Sequence, residues 1–443
     1  MLGRRRFAVA FLTGSSAVQM GANMLAALLA SSVLGPHGRG LMVLGVATAG
    51  IVPLLAGMGT GPQLRSRFPA VAGGTGQRSV IASYTWWSAA ALVLAAGLAV
   101  LVSALSAPLI DPALADPRYL LALAVVTCGY VAHTQLPDIW YAAGLFRCGS
   151  AWAMATTGGG AVGLLTAVLI APDVWTLLLG QGTGMLVAAG AQAVHLRAAG
   201  LLCLARPARR ELRDLLRRGG RALGLTMGLA LALRLDRYAL GSIAGPAAVG
   251  IYSVASTLGQ VPRLIPNAIG QIVNRDAAAN TDTFRPARAT ALTAVAVVAA
   301  GTVVAATGWL VIVPLLGGEF AGAKPLMLVL LAAEIAYVPY AVASRALLGA
   351  GWMGTAGAFG LIWSAAAVGL FAGAVALWGS FGAALACVTL YAGISASSWL
   401  LLSRRLARVR SVPTRAGPTS AAPAGPCEGG RADLDPAPRP AAL

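Results

Sequence analysis

Arg234, Asp236 and Arg237 interrupt an apolar stretch that runs from Ala222 to Ala244. At about 1.5 Å per helical residue, Arg234 falls roughly 18 Å into that stretch, near the middle of a hydrocarbon core about 30 Å thick. A charge at that depth must face protein or water, and such residues commonly line a substrate or ion path. Arg234 and Arg237, spaced i,i+3, are expected to share a helix face, whereas Asp236 is adjacent to Arg237 and does not point at it. In the returning apolar segment Arg263 lies between Pro262 and Pro266, where missing backbone donors permit a break that lines a cavity. Guanidinium forks match phosphate oxygens in bidentate fashion. If their faces converge, Arg237, Arg234 and Arg263 form an outer, middle and inner ladder for a phosphate-bearing substrate. The competing expectation is an arginine–aspartate network that only locks two helices together.

Fewer charges lie deep elsewhere. Glu334, ahead of Tyr337 and Pro339, is expected near mid-depth, where it pairs with an arginine or, less favoured, binds a coupling cation; Asp236 has the same two readings. Arg345 lies on nearly the same face but close enough to the inner end that snorkelling explains it. Gln19 and Asn23, polar positions of the first apolar span, are lesser lumen candidates, and His133, Gln135 and Asp138 cluster around Pro137 in the fourth, where they would line the first lobe or, less favoured, relay protons. Of these, Asp138 reads as a solvated acid at the inner boundary. Trp86, Trp87, Trp140, Trp175 and Trp309 read as an interfacial belt.

These residues must be positioned by membrane helices. Hydrophobic residues make up 58% of the 443 positions and charged residues only 10%, against roughly 25% charged in soluble domains. Windows of about 20 apolar residues predict twelve spans, near 7–34, 41–62, 79–106, 118–143, 150–171, 175–196, 222–244, 248–272, 289–316, 324–349, 354–377 and 381–402. The expected fold class is therefore an all-α polytopic membrane protein with two six-helix lobes.

The formal charge of +18 would suggest nucleic acid in a soluble protein, but its distribution indicates topology instead. With the N-terminus inside, 25 basic residues fall on the inner side and three, Arg39, Arg118 and Lys324, on the outer. That split places both termini in the cytoplasm and gives a cytoplasmic-membrane protein, with no nucleic-acid partner. The domains read as 1–196, the N-terminal lobe; 197–221, a basic cytoplasmic linker forming an interfacial amphipathic helix against anionic lipid; 222–402, the C-terminal lobe; and 403–443, a Pro-, Ala- and Gly-rich tail that cannot bury a core. The five cysteines and three histidines are isolated and no phosphate-binding loop motif occurs. Disulfide, metal-site, cofactor and ATPase readings have no support.

The halves carry a repeat. Gly35-Pro36-x-x-x-Gly40 superposes on Gly245-Pro246-x-x-x-Gly250 at an offset of 210, at topologically equivalent outer turns. Six helices per half give both copies the same orientation and predict a pseudo-two-fold axis along the membrane normal, with a central cavity between the lobes.

Leu34-Gly35-Pro36-x-x-Arg39-Gly40, Arg234-Leu235-Asp236-Arg237 running into Leu240-Gly241, and Val249-Gly250-Ile251-Tyr252-Ser253-Val254-Ala255 resemble the polysaccharide flippases of the MATE-like superfamily over roughly residues 5 to 405. The resemblance implies alternating access by rocking lobes, no covalent chemistry, and a polyprenyl pyrophosphate-linked oligosaccharide whose head group meets the arginines. It also implies membrane lipids, a polysaccharide polymerase and a glycosyltransferase complex as partners. Lipid II flippases of that superfamily have two further helices, and its multidrug antiporters often carry a first-helix acid; this chain has neither, offering only Gln19 and Asn23 in the first span. The rivals are a cation-coupled drug antiporter, for which an anionic lumen is expected, and a non-transporting subunit of a glycan assembly complex.

Overall fold

The computed structural model describes residues 2–71, 74–232, 234–278, 286–349 and 353–411. The tail expected to be disordered, with Cys427, lies outside the described residues beyond 411.

Every long element is a helix: α1 Leu2–Gly57, α2 Thr60–Arg67, α3 Gly74–Ser106, α4 Pro117–Ala142, α5 Phe146–Ile170, α6 Val174–Ala198, α7 Arg209–Ala232, α8 Leu235–Gly259, α9 Leu264–Ala278, α10 Pro286–Thr307, the single turn α11 Val313–Leu315, α12 Ala323–Gly349 and α13 Met353–Ser411. Among the described residues nine helical stretches are long and apolar enough to cross a membrane. Helices satisfy their own backbone groups, which is what a span in hydrocarbon requires. Large apolar side chains such as Leu105, Leu169, Leu315 and Leu377 are exposed on the outside of the bundle, as lipid contact demands.

Three of the nine stretches are far longer than one crossing and are broken inside. Gly14–Gly57 has 44 residues, which as a straight helix would reach about 66 Å, twice the hydrocarbon thickness. It breaks at Gly35 (φ 64°, ψ −179°), directly before Pro36. Leu235–Gly270 breaks at Gly245 (φ 81°, ψ 172°), directly before Pro246. Only glycine adopts that combination at little cost, and the proline then starts the next limb, where its missing N–H is harmless. Ile362–Arg404 turns at Trp378 and Gly379. The expected count of twelve crossings requires each limb of Gly14–Gly57 and Ile362–Arg404 to span, and the short limb 235–244, about 15 Å long, to be completed by the apolar end of α7.

The repeat at offset 210 thus reappears as one backbone conformation at Gly35 and Gly245. It also builds a contact. A Cβ on Gly40 would lie 1.8 Å from the carbonyl oxygen of Pro246, and a Cβ on Gly250 would lie 1.9 Å from that of Pro36. Each helix seats the carbonyl of the other in the notch left by a missing side chain, so α1 and α8 cross by a local two-fold relation. Small residues at such crossings are how membrane helices reach van der Waals contact.

One apolar core runs through both halves, from Leu44 of α1 and Leu123 of α4 to Tyr252 of α8 and Phe371 of α13. A second cluster joins α2, α3, α4, α6 and α7 through Leu64, Tyr84, Trp140, Leu196 and Leu215. Trp140 is fully buried there, so it packs the core instead of standing in the interfacial belt. The segment expected as a separate linker helix is otherwise arranged too. After an irregular stretch, α7 starts at Arg209 and continues into the following apolar residues as one helix to Ala232.

Replacing Gly250 with valine should destabilise the protein by roughly 1–3 kcal/mol, the usual cost of overpacking, because the clash is with backbone that cannot rotate away. Gly373→Val, at a site with nothing within 4 Å, is the control. Thermal unfolding of the purified chain reads both, and equal midpoints would remove the crossing from the account.

Candidate functional site

The breaks that shape the bundle also open it. A cavity of about 480 Å³ lies between the first half of α1, the limb of α1 after Gly35, α4, α6, α8 and α9. Its polar lining includes Gln19, Asn23, Arg39, Tyr130, Gln181, Arg237, Ser253, Gln260 and Arg263. Four expected site residues therefore meet here: Gln19, Asn23, Arg237 and Arg263.

The arginines differ in what already occupies them. Arg263 donates from Nε to Glu334 at 2.8 Å and pairs with the second carboxylate oxygen through a terminal nitrogen. That terminal nitrogen also donates to the Tyr391 hydroxyl at 2.9 Å. Its guanidinium lies over the Tyr337 ring, 4.7 Å from the centroid. The fork that would grasp a phosphate is filled by a buried carboxylate, which is the charge-pairing reading of Glu334.

Arg237 has a buried Nε with no hydrogen-bond partner. Arg39, one turn after the Gly35 break, is 6% exposed and donates only to neutral groups, the Ser253 hydroxyl at 3.3 Å and the Met42 sulfur at 3.9 Å. Among the described residues neither arginine forms an ion pair. Two cations therefore reach one cavity without a carboxylate between them.

Arg234 departs from the expected ladder. It does not share a helix face with Arg237, because it stands before α8 as the N-cap residue with φ −131° and ψ −9°. Its side chain points to the second limb of α1 and is not part of the cavity lining. There it donates to the Ala47 carbonyl at 3.4 Å, and a Cβ on Gly50 would lie 1.9 Å from its Nη1. The helix break frees Arg234 from the periodicity that would have aligned it.

Asp236 sits in the first turn of α8, where the helix dipole favours an anion. It is buried, accepts from the Arg237 backbone N–H at 2.8 Å and from the Tyr252 hydroxyl at 2.9 Å, and pairs with neither arginine beside it. A closed space of about 10 Å³ lies between Asp236 and Glu334, bordered also by Tyr252, Gln260, Cys387 and Tyr391. That is about the room one water needs.

The remaining candidates lie elsewhere. His133 is absent from the cavity lining and its Nδ1 is buried without a partner. Arg345 packs its methylenes on Gly270, whose Cβ position is 3.0 Å from Arg345 Cγ. Asp138 is no solvated acid. It is 6% exposed, receives the Arg65 guanidinium through Nε at 2.8 Å, and lies 3.5 Å from the Tyr84 hydroxyl. Arg39 is the residue that sequence reasoning missed, since it was counted as an outer-loop charge. Its place in Gly35-Pro36-x-x-Arg39-Gly40 was the available signal, because the helix resumes at Pro36 and carries Arg39 inward.

The model of the polysaccharide biosynthesis protein family matches residues 8–274. The chain belongs to that family. The match covers the α1–α8 crossing and the three cavity arginines, Arg39, Arg237 and Arg263. No curated protein matches the chain. Among solved structures, an inward-facing multidrug resistance MATE family transporter of the MOP superfamily aligns with a TM-score of 0.68 at 15% identity, over 89% of this chain and 96% of the other. The lipid II flippase MurJ in an inward closed conformation aligns at 0.67 and 11% identity, over 89% and 92%. An outward-facing MATE family transporter aligns at 0.56 and 14% identity, over 91% and 96%. The family member described here therefore has the MATE-like fold.

The Arg263–Glu334 pair carries a stability prediction. Glu334→Gln should cost about 3–5 kcal/mol by leaving a buried guanidinium uncompensated, whereas Arg263→Met combined with Glu334→Leu should recover most of it. Unfolding midpoints of the two variants decide it, and a double variant no better than the single one would contradict the pairing argument.

Proposed function

We propose that this family member is a flippase that moves a polyprenyl-(pyro)phosphate-linked oligosaccharide from the inner to the outer leaflet of the cytoplasmic membrane. Two lobes, 1–196 and 222–402, rock about the cavity, and both termini stay in the cytoplasm. The observation that carries this reading is the convergence of Arg39 and Arg237, unneutralised by any described carboxylate, in one cavity of a chain from the polysaccharide biosynthesis family. Buried cations without a counter-ion are expensive, and a phosphate supplies the missing charge with bidentate geometry. The glycan then meets neutral hydrogen-bonding groups, Gln19, Asn23, Gln181 and Gln260, while the lipid tail remains in the membrane.

The roles of the charged residues follow from their occupancy. Arg237 and Arg39 take the phosphates; Arg263 braces α9 against α12 through Glu334 and adds field to the same cavity; Arg234 ties the start of α8 to α1. Energy coupling, if an ion gradient drives the cycle, falls to Asp236, the deep acid of the second lobe without an arginine partner, more than to Glu334. A polymerase and a glycosyltransferase complex, which would consume and supply such a glycolipid, belong to this reading as partners. A drug antiporter of the same fold would need an anionic or aromatic lumen, and the lumen here is cationic.

Deleting the gene should make lipid-linked oligosaccharide accumulate on the cytoplasmic side, as read by mass spectrometry with leaflet-selective labelling. Complementation with Arg237→Gln or Arg39→Gln should lower export on the order of tenfold, the effect of losing one charged hydrogen bond, with membrane levels held equal. No accumulation in the deletion strain, or full rescue by the Arg39→Gln Arg237→Gln double variant, defeats the reading.

A further inference from the structure

The first turns of α7 carry an arrangement that the transport cavity does not use. Glu211 and Asp214 face α2, where both carboxylates reach Arg67, at 2.9 and 3.6 Å. On the same docked side Leu215 is buried, and Gly219 lies against the backbone of Met58, whose carbonyl oxygen would be 2.3 Å from an added Cβ. The helix is therefore fixed to the end of α1 and to α2 along one side.

The other side is basic. Arg209, Arg213 and Arg217 follow at i, i+4 and i+8, all exposed, and flank a groove of about 470 Å³ lined also by Met58, Leu212 and Leu216. None of the three forms an ion pair among the described residues, because the two acids of these turns are held by Arg67. Like charges at i,i+4 destabilise a helix. A ladder left uncompensated on one rail, while the acids are drawn to the opposite rail, calls for an anion from outside.

The position of the groove indicates which anion. The same helix continues into apolar residues from Ala222 to Ala232, so α7 leaves the membrane at about Ala222. Arg217 then stands roughly 7 Å beyond the hydrocarbon and Arg213 roughly 13 Å, at and just above the headgroup layer. Basic residues at that level are drawn to anionic lipid. We propose that Arg217 and Arg213 form a binding site for the phosphate of an anionic phospholipid of the inner leaflet, separate from the transport cavity, with Arg209 adding positive field above them. Its leaflet rests on the orientation given by the arginine distribution; its chemistry does not rest on the flippase reading.

The test uses the full chain in nanodiscs of mixed phosphatidylcholine and phosphatidylglycerol, with mass spectrometry of the lipids that remain bound on transfer to detergent. Wild type should retain phosphatidylglycerol in preference by on the order of tenfold, and Arg209→Gln, Arg213→Gln, Arg217→Gln together should abolish the preference. Arg213→Gln alone should lower it and serves if the triple variant does not reach the membrane. Arg404→Gln, an exposed arginine of α13, should leave it unchanged, as should the cavity variant Arg237→Gln. A preference that survives the variants in α7, that is absent from wild type, or that falls equally with Arg404→Gln overturns the proposal. So does retention, through these arginines, of a polyprenyl pyrophosphate but not of phosphatidylglycerol, which would give the groove to the substrate. A loss of export in Arg237→Gln with unchanged lipid retention separates the two sites.

Discussion

A guanidinium at the depth of a bilayer core must find oxygen atoms, aromatic faces or water, because hydrocarbon offers it nothing. That constraint sorts the deep charges of this chain. Arg263 is satisfied by Glu334, Tyr391 and the Tyr337 ring. Arg234 reaches a backbone carbonyl of α1. Arg39 donates to a hydroxyl and a sulfur, Arg237 keeps a buried Nε without a partner, and both border the cavity. Closing such a cavity on two cations without an anion between them is costly.

The α1–α8 crossing supplies the frame for this sorting. Pro36 and Pro246 start limbs whose fourth residues on, Gly40 and Gly250, accept the carbonyl of the opposite proline. Arg39 precedes Gly40, and Ser253, the acceptor of Arg39 Nε, lies one turn after Gly250. The close crossing therefore brings an arginine of the first half onto the eighth helix in the second, inside the interface between halves. Any motion that separates the halves at this level must lift two carbonyls out of two notches and part Arg39 from Ser253 in the same step.

Much of this was legible in the sequence, for identifiable reasons. Apolar length gives the spans, since membrane thickness is nearly constant. The Gly-Pro pairs give the breaks, since few residues but glycine tolerate φ near +64° or +81° next to a proline. The partners of the charges were not legible. Helices of this bundle are apolar on nearly every face, so periodicity does not say which face meets which neighbour. Asp138 was read as solvated because its depth was known and its partner, Arg65, was not. Arg234 was aligned with Arg237 because nothing in Arg234-Leu235-Asp236-Arg237 marks the end of a helix. Arg39 was assigned to a loop that the structure does not contain, since the second limb begins at Pro36.

A shared motif of the two halves shows what those partners have in common. Asp138-Ile139-Trp140-Tyr141 on α4 and Glu334-Ile335-Ala336-Tyr337 on α12 each present a carboxylate and a tyrosine one turn apart. In each case an arginine from the helical segment two spans earlier in that half, Arg65 or Arg263, pairs with the acid and lies 4.7 Å from the centre of the tyrosine ring. Carboxylate and ring face together accept both the fork and the flat of a guanidinium, so one turn of helix is enough to hold a charge that the membrane would reject. The pairs are offset by 198 residues for the arginines and 196 for the acids, where the Gly-Pro turns are offset by 210. Relative to the turns they sit at different heights: the first at one rim of the bundle, where Arg65 is half exposed at 49%, the second deeper, beside the cavity. The same clamp thus braces the rim of one half and a wall of the cavity in the other, and the cavity is left with one cation paired to a carboxylate and two, Arg39 and Arg237, that form no ion pair among the described residues.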